Sequence, residues 1–206
     1  MHTREEVLLH YSAKMNRPSL EEATVRYALD PKISRFTVQA FAAGLFSSFG
    51  HNPVIAITNF TGEAKITPET IEPGSLLIKI PATSLEVASD VSDKDRKEIE
   101  RTMQQNVLES SSYPEITFEC SQFTHRVNAN HQYWVSMNGD LTLHGVTRGQ
   151  NVSANVTLNG DTLRAQGNFS ILQTDYEIPL VSVAGGTLKV KDELKFTFNV
   201  VARRQE

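Results

Sequence analysis

Cysteine is nearly absent: Cys120 is the only one, so no disulfide can form within the chain. No apolar run approaches the ~20 residues that a membrane-crossing helix requires. Basic clusters are also missing. The formal net charge is −4 and the isoelectric point about 5.9. A nucleic-acid backbone therefore has no footprint to bind, and nucleic acid is not expected as a partner. Catalytic signatures are missing as well. There is no GxSxG, P-loop, Cys-x-x-Cys or metal-binding histidine motif. Catalysis needs a nucleophile with its base, paired carboxylates or a metal cluster, and none of these is readable. The expectation is a non-enzyme with no catalytic residues, no metal and no cofactor.

A secretion signal is not readable either. It requires a basic start and roughly 7–15 apolar residues. Residues 1–23 carry Glu5, Glu6, Glu21 and Glu22, and their longest aliphatic run is Val7-Leu8-Leu9. The expected location is the cytoplasm. The Asn-x-Ser/Thr triplets at Asn59, Asn151, Asn155 and Asn168 then carry no glycosylation meaning. Residues 1–23 are read as a leader, either disordered or a short helix, and Met15 is an alternative start. Residues 24–206 are read as one domain, long enough to bury a sizeable core.

What fills the chain is alternation. Val152, Ala154, Val156 and Leu158 alternate with polar residues, turn at Asn159-Gly160-Asp161, and resume at Leu163, Ala165, Gly167, Phe169 and Ile171. This period of two describes strands with one dry and one wet face. The same pattern predicts strands at Val25–Leu29, at Phe36–Ala40, and at Leu76–Ile80. Ile55 to Ile66 reads as one long strand with a bulge near Thr58-Asn59. Further strands are predicted near 115–127, 132–147, 150–159, 162–172 and 193–203. The segment 41–53 breaks the period with two glycines and a proline, so a turn or short helix belongs there. Leu85 and Val87 fall in a connection.

One stretch changes period. Ile99, Met103 and Val107 recur at helical spacing, and Ser92 is placed as N-cap with Asp93 and Asp95 in the first turn. This predicts a helix from about Ser92 to Ser110. Strands with a single apolar face can close as a sandwich or a barrel, and pattern alone does not choose.

Three motifs in order choose between them. LTLHGVTR (141–148), the run Tyr113-Pro114-Glu115-Ile116-Thr117-Phe118, and the Gly-rich return 185–194 together resemble the YceI-like family. The resemblance covers about Thr24 to Arg203. It implies an all-β, antiparallel, lipocalin-like barrel of about eight strands with one inserted helix, and a polyisoprenoid-type ligand.

An eight-stranded barrel can be filled by side chains or keep room for one small ligand. Large inward residues (Phe36, Phe60, Phe118, Phe169, Phe196, Phe198) mix with small ones (Ala154, Gly167), which either fit the taper of a solid core or open a dry tunnel. No charge interrupts the inward sets, so such an interior suits a hydrocarbon. Candidate ligand-binding residues are these, with Val38, Ile78, Leu141 and Leu143, and with Phe46, Phe49 and His51 at a mouth near Leu45–His51. His51 is read either as a head-group contact or as a turn histidine bonded to backbone. His144 is assigned a structural role at a strand end. His125 and His131, flanking a turn, lack a third metal ligand. Of the neighbours Tyr133 and Trp134, one alone can point inward.

Three functions follow. The first is carriage or sequestration of an isoprenoid or fatty-type molecule. The second is a filled barrel acting through a protein partner or by forming a homo-oligomer. The third is a barrel enzyme on a lipid-like substrate, with His51 as acid or base.

Overall fold

Alternation becomes strand pairing almost residue for residue. The structure is a computed structural model that describes residues 24–43, 52–67, 71, 74–183 and 188–206. The strands are β1 (Val25–Leu29), β2 (Arg35–Ala43), β3 (Val54–Ile57), β4 (Thr61–Ile66), β5 (Ser75–Pro81) and β6 (Leu85–Val87). After the helix come β7 (Glu115–Ala129), β8 (Gln132–Leu143), β9 (Val146–Asn159), β10 (Thr162–Leu172), β11 (Ser182–Val183) and β12 (Leu188–Arg204). The sheet runs β1-β4-β5-β7-β8-β9-β10-β12, and a β12–β1 pairing closes it into an eight-stranded antiparallel barrel.

Closure depends on the length of β12. Its C-terminal end pairs β1 (Leu29 opposite Ala202), and its earlier part pairs β2 from Lys189 to Asn199. β1 and β2 thus lie end to end along it. β4 and β3 lie end to end along them, and β5 and β6 beyond. The long strand expected from Ile55 to Ile66 is therefore two strands, because its halves pair with different partners on either side of residues 58–60. At that break Phe60 turns inward and is 1% exposed.

Other boundaries move. Residues 41–43 continue β2, Leu85–Val87 is a strand rather than a connection, and β12 starts at Leu188. The expected strand 132–147 ends at Leu143, where His144 (φ 52°) and Gly145 (φ 75°) form the two-residue turn to Val146. Both left-handed positions suit the twist of a tight hairpin.

The helix α1 (Asp93–Thr102) begins as the sequence implies. The Ser92 side chain accepts from the Asp95 N–H at 3.1 Å. It widens into a π-helical turn, Met103–Val107, closed by Leu108 N–H donating to the Met103 carbonyl at 2.8 Å. Met103 is buried, and Ile99 and Val107 pack on the core. The helix also covers the outer edge of β6, whose backbone groups would otherwise be unpaired. Val87 N–H donates to Glu100 Oε1 at 2.9 Å, and Arg96 donates to the Val87 and Ser89 carbonyls. Gln104 Nε2 donates to the Ala82 carbonyl at 3.0 Å.

Candidate functional site: an apolar cavity inside the barrel

The inward faces of the strands do not meet at the axis. They leave a cavity of about 180 Å³. Its wall runs from Ile71 and Phe123 at one end of the barrel to Leu108 and Ile178 at the other. Among the described residues, Thr117 is the one member of that wall with a polar side chain; the others are apolar. A charged or strongly polar guest would lose its water and gain no partner, whereas a hydrocarbon loses nothing.

Ten of the expected residues line this space: Phe36, Val38, Ile78, Phe118, Leu141, Leu143, Ala154, Phe169, Phe196 and Phe198. Two are placed differently. Phe60 lies behind the wall, its ring edge-on to Phe36 at 5.1 Å. Gly167 lies under the Phe198 ring. Phe46, Phe49 and His51 fall outside the described residues.

Phe118, Phe169 and Phe196 are only half-buried although they point inward. Phe169 and Phe196 stack across β10 and β12 with centroids 4.8 Å apart and planes 9° from parallel. Their exposed faces look into open space rather than into packed core.

Pattern reading missed part of the wall. Ile71, Leu108 and Ile178 line it from segments outside the strands, where period two gives no signal. Val135 and Met137 belong to β8, whose alternation places them on the face of Leu141 and Leu143.

The remaining candidates fall as follows. Tyr133 is 7% exposed and Trp134 46%, so Tyr133 is the inward member. His131 occupies the β7–β8 turn at φ 59°, while His125 sits along β7 with its ring near Tyr133. They do not face each other across the hairpin. Among the described residues no three His, Cys, Asp or Glu side chains are grouped to hold a metal. His144 packs on Tyr113, with its Nδ1 3.3 Å from the Tyr176 carbonyl. Burial pushes the Tyr176 hydroxyl up, with the Asp175 charge adding to it.

An antiparallel eight-stranded barrel around a dry interior defines a lipocalin-like class of protein. Within it, a sequence model of the YceI-like domain matches residues 27–202, and the chain belongs to that family. Several solved structures share the fold. BcnA of Burkholderia cenocepacia is 18% identical, with a TM-score of 0.63, over 84% of this chain and 98% of that one. A polyisoprenoid binding domain from Saccharophagus degradans, implicated in plant cell wall breakdown, is 14% identical with a TM-score of 0.61, over 87% and 98%. The Campylobacter jejuni YCEI protein is 16% identical with a TM-score of 0.55, over 74% and 85%. No curated protein matches the sequence.

Proposed function

We propose that the barrel binds one long-chain apolar molecule, of isoprenoid or fatty type, and carries or sequesters it without chemical change. The observation that carries this reading is the cavity wall, continuous through the barrel and, among the described residues, apolar at every side chain but Thr117. The name of the Saccharophagus degradans domain supports the isoprenoid class. The mouth is proposed at Leu45–His51, outside the described residues. His51 would add at most one hydrogen bond to a head group, about 1 kcal/mol net.

Size bounds the occupant. A dry cavity of ~150 Å³ holds one benzene, so the space at rest takes only a short segment of tail. A longer tail needs the half-buried rings of Phe118, Phe169 and Phe196 to swing aside. Each isoprene unit would contribute roughly 3 kcal/mol after a discount on ~0.8 kcal/mol per carbon. Three units then suffice for about micromolar affinity.

The test is organic extraction of the purified protein with mass spectrometry, together with titration of a fluorescent farnesyl probe. Ala165 lines the cavity and is half-buried, so Ala165→Phe projects a ring into space that is already open. The expected result is an extractable lipid and at least ~tenfold weaker probe binding in that variant. An extract without lipid, and a variant that binds the probe as the parent does, would sink the carrier reading.

A further inference from the structure

His144 stands where three segments meet at one end of the barrel: the β8–β9 turn, the loop 108–114 that leaves the helix, and the one-turn helix Gln173–Tyr176. Its side chain is 9% exposed and its ring lies against Tyr113 at 4.4 Å. Nδ1 is 3.3 Å from the Tyr176 carbonyl oxygen. Nε2 is 3.7 Å from Glu109 Oε2 and has no hydrogen-bond partner among the described residues. Both ring nitrogens therefore face acceptors.

A neutral imidazole has one donor and one acceptor nitrogen. With its proton on Nδ1 it serves Tyr176 and turns a lone pair toward the Glu109 carboxylate. With the proton on Nε2 it loses Tyr176. The imidazolium alone offers a proton to both.

Each contact is coupled to the cavity wall through the chain. Glu109 follows Leu108, His144 follows Leu143, and Tyr176 precedes Ile178 by two residues; Leu108, Leu143 and Ile178 all line the cavity. The same segments hold Glu109 (φ 43°), His144 (φ 52°) and Glu177 (φ 56°) in the left-handed region. Side chains rarely adopt it, so tertiary contacts must hold these residues there. Other titratable or charged groups on these segments and on the adjoining ends of the strands beside them include Tyr113, Glu115, Arg148, Asp175, Tyr176, Glu177, Lys191 and Asp192. Arg148 donates to the Asp175 carbonyl at 3.0 Å, and Asp192 is bonded to Thr174. Glu109 is the charged group at ion-pair distance from His144.

We infer that His144 is a proton-operated latch on this end of the cavity. Protonated, it ties the Glu109 loop to the 173–176 turn across the β8–β9 hairpin and holds the wall shut. Neutral, it releases the Glu109 loop and lets an apolar ligand exchange. Closure is thus favoured where the ring carries its second proton and lost where it is neutral. The consequence for ligand exchange rests on the binding reading above; the latch itself does not.

The test uses the full chain. Release of a fluorescent farnesyl probe should be about tenfold faster at pH 8 than at pH 5.5, the scale of one charge-assisted hydrogen bond. His144→Asn, which suits the left-handed backbone and does not titrate, should release at one rate at both pH values. Glu109→Gln supplies an amide donor to the neutral ring, so slow release should persist at pH 8. Amide exchange gives a ligand-free readout. Tyr113, Glu177 and Ile178 donate to the carbonyls of Glu109, Thr174 and Gln173. Their protection should fall over the same pH range, beyond the intrinsic acceleration, in the parent but not in Glu109→Gln. The same pH slope in the parent and both variants, or no slope in the parent, overturns the latch. Intact pH-dependent exchange with no probe binding at any pH supports the latch and overturns the binding reading instead.

Discussion

The Phe198 ring occupies the place where a side chain at Gly167 would be. The two residues are opposite each other on β12 and β10, and a Cβ at 167 would lie 2.7 Å from Phe198 Cζ and 2.3 Å from the Ser153 carbonyl oxygen. The glycine is thus a seat for an aromatic ring and not a window into the cavity. Gly167→Ala should cost about 1–3 kcal/mol, because backbone on one side and a packed ring on the other must both shift. Urea melts check this. A variant as stable as the parent would show that the strands can separate there at no cost.

Two phenylalanines should separate packed core from cavity wall. Phe60 is 1% exposed and sits edge-on to Phe36, so Phe60→Ala should cost ~3–5 kcal/mol. Phe169 already faces open space, and truncating it enlarges a void instead of creating one. Phe169→Ala should cost less than about 2 kcal/mol. Equal losses in denaturant melts would mean that the space beside Phe169 closes in solution.

Period two made most of this barrel legible, and where it failed the causes are particular. Ile55–Ile66 read as one strand because the inward phase resumes at Phe60 after a slip of one residue, which a bulge also produces. The split follows from pairing partners far away in sequence, which the pattern does not contain. Ser92 marked the helix start because an N-cap is a local device. The π-helical turn after Thr102 has no local signature, and its Leu108 reached the cavity unannounced. Ten wall residues were readable, since wall and core share one face of each strand. The pattern could not separate Phe60 and Gly167 from the wall, because a residue behind the lining or beneath a ring has the same inward phase as a residue on it. Ile71 and Ile178 lay in segments without periodicity.

Asp192 should make one end of the barrel sensitive to acid. Its carboxylate accepts from the Thr174 hydroxyl at 2.6 Å and from the Thr174 N–H at 2.9 Å, and these bonds hold it below the usual aspartate range. A depressed carboxylate contributes stability that is present above its unfolded value and lost as pH falls through its folded one. The 173–176 turn should therefore loosen below about pH 4, seen as lost amide protection at Glu177 and Ile178. Asp192→Asn should show that looser turn at neutral pH and little further change in acid. Protection that falls equally in both proteins between pH 5 and 3 would assign the effect to another group.

Cys120 should be inert until the barrel opens. Its side chain is 2% exposed, with Sγ 3.2 Å from the Asn138 carbonyl and 3.3 Å from that of Gln122. Burial pushes the thiol up, a shift that a backbone hydrogen bond with Gln122 opposes and the Asp140 charge reinforces. Reaction with a disulfide reagent requires both the thiolate and access to it, and this site withholds both. At pH 8 the native protein should react at least ~100-fold more slowly than the same protein in denaturing urea, at a rate set by opening of the β7–β8 pairing. That opening is also what a guest must cause if it displaces the rings beside β7. A bound farnesyl probe should then leave the rate unchanged or slow it if ligands enter at the barrel end. It should accelerate the reaction if entry requires β7 to separate from β8, and a severalfold acceleration would move the entry route from the barrel end to its side.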